Sequence, residues 1–129
     1  MAHHTKLLSA LAFAVLAAGC GEVAQAPETV RMTVQDGGQG INGTYRSSGF
    51  SQSQVRQMVG RVCTSAGFSG FTQSVNGDFV SFSAFCSAPT RYTNGAQALF
   101  EAQDDGTVDF TIDYTQNGRA VETGGNFAI

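Results

Sequence analysis

The sequence predicts an α+β domain in which one amphipathic helix packs on a curved antiparallel sheet of four to six strands, in the order β-α-β-β-β-β. Three observations predict it. The stretch from Phe50 to Phe68 carries a single apolar stripe at helical spacing. After it, short segments alternate apolar and polar residues between turn signals at Asn76-Gly77, Asp104 to Gly106 and Asn117-Gly118. A helix with one apolar stripe also has one obvious surface to cover, which is the apolar face of that sheet.

The elements follow in order. "TVRMTVQ", Thr29 to Gln35, places Val30, Met32 and Val34 on one side of a first strand. "GQGING", Gly38 to Gly43, matches G-x-G-x-x-G after a strand, but a dinucleotide site needs those glycines to open a helix. Here the helix begins only at Ser51, and Met58 stands where an acid would be needed, so the segment reads as a flexible Gly-rich loop and no nucleotide is expected. In the helix, Ser51 and Gln54 form a capping box, and Phe50 with Val55 a hydrophobic staple. Val55, Met58, Val59, Val62, Cys63 and Ala66 make the inward stripe, and Gly67 is suited to a left-handed stop.

In the first hairpin, Asn76-Gly77 as a two-residue loop sets Val75 opposite Asp78 and Phe71 opposite Phe82, with Cys86 on the Phe82 face. In the second, a three-residue loop from Asp104 to Gly106 sets Phe100 opposite Phe110 and Ala98 opposite Ile112. A two-residue loop would pair Val108 with Gln103, so burial of one face selects the former. Asn117-Gly118 then leads to a short edge strand around Ala120 to Glu122. This element order resembles that of cystatin-type folds, a likeness of topology that implies nothing about function.

The chain of 129 residues has room for one domain, residues 30–129, after an export segment and a tether. Leu7 to Ala18 is apolar but for Ser9, and is shorter than the roughly 20 residues a membrane-spanning helix requires. "AAGC", Ala17 to Cys20, follows it. These residues resemble the lipobox of bacterial lipoproteins, which implies removal of residues 1–19 and lipidation of Cys20. Gly21 after the cysteine implies, by the same resemblance, outer-membrane sorting facing the periplasm. A competing reading takes "AQA", Ala24 to Ala26, as the cleavage site of a soluble secreted form, although Pro27 follows it. The tether, residues 20–29, spans roughly 30 Å when extended and keeps the domain near the membrane.

Removal of the signal takes His3, His4 and Lys6 with it, leaving six arginines against ten carboxylates. That balance lacks the cationic stripe a nucleic acid requires. Three cysteines in an exported chain leave an odd one. If Cys20 carries lipid, Cys63 on the buried helix face and Cys86 on the sheet face that meets it should pair, closing about 24 residues for roughly 3 kcal/mol. A redox pair or metal site finds no C-x-x-C spacing and no mature histidine to support it, and no cofactor is expected.

Catalysis is short of parts, because the serines have no base to activate them. Glu101 and Asp109 should be cross-strand neighbours facing outward, where they read as a solvated acidic edge, a patch for a cationic partner or a weakly held Ca²⁺, or the carboxylates of a hydrolase. The loop "SAPTRYTNG", Ser87 to Gly95, offers Arg91 and Tyr92, residue types favoured at binding hot spots. Ser87, Ala88, Arg91 and Tyr92 resemble the inhibitory loop of periplasmic lysozyme-inhibitor lipoproteins, which implies insertion into the cleft of a cationic wall hydrolase. The leading expectation is a non-enzymatic lipoprotein that binds another envelope protein or a peptidoglycan-associated component, with such an inhibitor as the alternative.

Overall fold

A computed structural model describes residues 27–93 and 95–129 of the protein. The export segment, Cys20 and the tether as far as residue 26 lie outside the described residues. The elements are β1 (Thr29–Gln35), β2 (Gly40–Arg46), α1 (Gln52–Cys63), β3 (Phe68–Asn76), β4 (Phe79–Cys86), β5 (Gln97–Ala102), β6 (Thr107–Gln116) and β7 (Arg119–Ala128). The strands form one sheet in the order β3-β4-β2-β1-β5-β6-β7, antiparallel throughout. The architecture is α+β, with seven strands rather than four to six and with two strands, not one, before the helix. The cystatin-type order therefore does not hold.

The strand missing from the expectation is β2, built from the segment read as a flexible loop. Its apolar residues on the core side are Ile41 and Tyr45, with Gly43 between them. It is a strand because β1 and β4 pair with it on both sides, so its backbone groups are satisfied in spite of a poor local propensity. Gly43 is matched to Phe82 across the β2/β4 pair, and the Phe82 ring fills the space its missing side chain leaves.

The helix forms as its signals require. The Ser51 hydroxyl accepts from the Gln54 backbone N–H at 3.1 Å, and the Gln54 side chain accepts from the Ser51 N–H at 3.0 Å. Both members of the staple, Phe50 and Val55, are buried. Val55, Met58, Val59 and Val62 face the sheet with essentially no exposure, against Val30, Met32, Phe82, Phe100 and Ile112. The inward stripe stops at Cys63. A one-turn 3-10 segment, Thr64–Ala66, follows and leaves Ala66 exposed, and Gly67 closes it with φ of 74°. Cys63 and Cys86 are joined by a disulfide, S–S 2.07 Å and Cα–Cα 5.1 Å, which ties the end of α1 to the end of β4.

Of the hairpin registers, that of β5 and β6 is as derived: Phe100 opposes Phe110, Ala98 opposes Ile112 and Glu101 opposes Asp109. The β3/β4 register differs. Asn76 pairs with Phe79 and Gln73 with Phe82, so the loop is Gly77-Asp78, and an irregularity between Ser69 and Thr72 carries Phe71 beside Phe82 instead of opposite it. The two rings still stack, with centroids 5.6 Å apart. Asp78 is held in the turn by four hydrogen bonds from the connection between β2 and α1: from Arg46 Nε, the Ser47 and Ser48 hydroxyls and the Ser48 N–H. The Asn117-Gly118 turn is present with φ of 52° and 75°, but the edge strand beyond it is ten residues long rather than short.

Candidate functional site

With α1 laid across one face of the sheet, a groove of about 500 Å³ remains between the helix and the β6/β7 hairpin. Gln57, Gly60 and Arg61 of α1, with Thr64 just past its end, form one wall, Phe110 and Thr123 the sheet wall, and Arg91 and Tyr92 of the β4–β5 connection also line it. Phe110 can lie there because Gly125 stands opposite it and offers no side chain. Gly60 on the helix wall likewise carries no side chain.

The two arginines are positioned by rings. The Arg61 guanidinium carbon lies 4.4 Å from the centroid of Phe127, whose ring is itself locked edge-on against Phe100 and Phe110. The Arg91 guanidinium lies 5.4 Å from the Tyr92 centroid, and Tyr92 packs edge-on against Tyr114 at 5.0 Å. Such stacking orients a guanidinium at the ring face. A hydrogen bond with the Tyr92 side chain, then the nearness of Tyr92 and Tyr114, raise the Arg91 pKa, so its charge is constant at any working pH. Among the described residues the only arginine within 4.0 Å of a carboxylate is Arg46, bridged to Asp78 and Glu28. Among the described residues no carboxylate therefore lies within 4.0 Å of Arg61 or Arg91.

The described part of the connection that carries Arg91 is held by hydrogen bonds. Thr90 donates both its N–H and its hydroxyl to the Gly38 carbonyl, at 3.0 and 2.8 Å. Its ends are held by Cys86 N–H to Gln39, Ser87 N–H to Gly67 and Gly95 N–H to Val34. Tyr92 is only 4% exposed and belongs to the core, which corrects its expected place as a projecting hot-spot residue. Its ring is apolar area too large to leave in water when Tyr114 is at hand. Ser87 is exposed near the disulfide and is not part of the groove.

Glu101 and Asp109 are cross-strand neighbours on the opposite, uncovered face of the sheet, and Asp113 opposes Glu122 further along β6 on the same face. The Asn126 amide donates to Asp109. The structure thus separates the anticipated binding residues into two places: Arg91 with Tyr92 at the groove, Glu101 with Asp109 on the far face. Arg61 and Phe127 had not been anticipated, since their meeting with Arg91 depends on the strand order. Among the described residues no three His, Cys, Asp or Glu side chains converge as metal ligands would. Comparison of the chain with protein-family models, with curated proteins and with solved structures finds no match.

Proposed function

We propose that the protein is a lipid-anchored interaction module of the bacterial cell envelope, sorted to the outer membrane with its domain facing the periplasm, which holds its ligand in the groove between α1 and the β6/β7 hairpin. The lipobox-like "AAGC" supports the anchor, and a buried disulfide suits an oxidising compartment. The observation that carries the binding role is the pair Arg61 and Arg91, oriented by stacking at one groove with no carboxylate within 4.0 Å among the described residues.

Two experiments test this reading. Cys20→Ser should move the protein from the membrane to the soluble or uncleaved fraction with no palmitate incorporated, whereas an unchanged labelled membrane protein would refute the anchor. A photo-crosslinking residue at Thr123 should capture an envelope component in cells, and capture should fail when Arg61 and Arg91 are both alanine. Capture that ignores those two arginines would refute the groove.

One observation favours a second reading, inhibition of a cationic wall hydrolase. The acid pairs Glu101/Asp109 and Asp113/Glu122 line the uncovered sheet face and would steer a basic enzyme toward it. Inhibition of lysozyme lost on neutralising those acids, and indifferent to Arg61→Ala, would support it over the groove.

A further inference from the structure

Resting on the reading of the groove as the ligand site, we infer that the group it takes is a phosphate ester, held as a tetrahedral anion between Arg61 and Arg91. Two arginines reach the groove from different elements, Arg61 from the last turn of α1 and Arg91 from the β4–β5 connection. A carboxylate presents two oxygens in one plane, which one guanidinium fork satisfies. A phosphate spreads its oxygens in three dimensions, so it can meet two forks from different directions and keep an oxygen for a hydroxyl. Thr64 and Thr123 supply hydroxyls on the two walls, and Gln57 an amide.

The groove is larger than a bare ion needs. About 500 Å³ falls in the range of small-molecule sites, and the half-buried Phe110 ring gives the groove an apolar side suited to the carbon portion of an ester. The charge pattern agrees. The described carboxylates lie in turns or on the uncovered sheet face, none is on α1, and none comes within 4.0 Å of Arg61 or Arg91. Arg56, stacked on Phe68 and Phe71 of β3, lies on the other flank of the helix and takes no part in the groove. The ester's source is either a phospholipid headgroup or a soluble phosphate compound, and both present the same chemistry to the site.

The test uses the full protein extracted in a nonionic detergent, with the arginine Nε–H resonances followed by NMR. It is titrated with inorganic phosphate, with acetate, and with dihexanoyl phosphatidic acid below its micelle concentration. Phosphate should shift Arg61 and Arg91 and leave Arg31 and Arg119 in place, with acetate at least tenfold weaker. Phosphatidic acid tighter than inorganic phosphate identifies a lipid source, and equal affinities a soluble one. Arg61→Ala and Arg91→Ala should each weaken phosphate binding about tenfold or more, the scale of a lost charge-assisted contact. Arg61→Lys, which keeps the charge and loses the fork, should recover only part of it. Silent Arg61 and Arg91 resonances, acetate equal to phosphate, or full recovery with lysine would each overturn the inference. If crosslinking from Thr123 still depends on both arginines while phosphate does not bind, the inference falls and the groove's binding role stands.

Discussion

Replacing Gly43 by alanine tests the least expected element, because strand and loop demand opposite signs. Gly43 sits in mid-β2 with Met32 beside it on β1 and Phe82 on β4. A Cβ there would press on the Phe82 Cζ and lie 2.6 Å from the Arg31 carbonyl oxygen, well inside the about 3.3 Å that carbon and oxygen keep. The phenyl ring can turn aside. The carbonyl cannot, since it belongs to the backbone of the central strand. Overpacking of this kind costs about 1–3 kcal/mol, which for a domain of this size lowers Tm by roughly 10 °C. In a free loop the same change removes unfolded-state freedom and would raise stability by about 0.4–1 kcal/mol. Thr44→Ala, one residue on and pointing outward, controls for the strand and should change stability by no more than about 0.5 kcal/mol. Thermal and urea denaturation followed by circular dichroism would decide. A Gly43→Ala protein that melts at or above the parent temperature would refute the pairing of β2 between β1 and β4.

Three other outcomes are expected. Cys63 and Cys86 should appear linked by mass spectrometry, and replacing both by alanine should cost about 3 kcal/mol in urea titrations, given their sequence separation of 23. Asp78 accepts hydrogen bonds from Ser48 first, then Arg46 and Ser47, which hold its carboxyl far below the usual range. Its stabilisation is therefore complete above the unfolded value near ~4 and is lost as pH falls below it. The stability gap between the parent and Asp78→Asn should accordingly shrink on acidification from pH 5 to pH 2, and a constant gap would contradict the assignment. Tyr92→Ala should cost about 3 kcal/mol because it empties a core position against Tyr114, whereas Ser87→Ala should be within about 0.5 kcal/mol of the parent.

What could be read from the sequence was what the chain decides locally or by burial. The capping box needs only Ser51 and Gln54, and both of its hydrogen bonds form. The β5/β6 register follows from hiding Phe100 and Ile112 on one side, whatever the rest of the sheet does. The disulfide was legible because a helical stripe and a strand alternation each fix which way a cysteine points. The failures share a cause in distant partners. The β3/β4 turn moved because Asp78 is claimed by Arg46, Ser47 and Ser48, about thirty residues earlier. β2 was obscured because its glycines are useful only against a Phe82 ring supplied by another strand. A tyrosine in a polar loop reads as exposed, and only Tyr114 from β6 shows that Tyr92 turns inward.

The groove was illegible for a further reason, which concerns charge. An excess of carboxylates over arginines argues against an anionic partner only if the charges are mixed, and here they are sorted by the strand alternation. Glu101, Asp109, Asp113 and Glu122 alternate with core residues and so fall on the uncovered face. Arg61 belongs to a helix that has no acid at all, and Arg91 joins it at the groove from the β4–β5 connection. The two sets are separated by the thickness of the sheet and part of the helix layer, on the order of 10 Å or more. At physiological ionic strength the screening length is about 8 Å, so a ligand entering the groove responds to the two guanidiniums beside it far more than to the acids behind the sheet. Net charge governs the approach of an extended polyanion, which must pass both faces. For a single phosphate the local field prevails, and lowering the salt should weaken its binding relative to this expectation only if the acidic face reaches through the sheet.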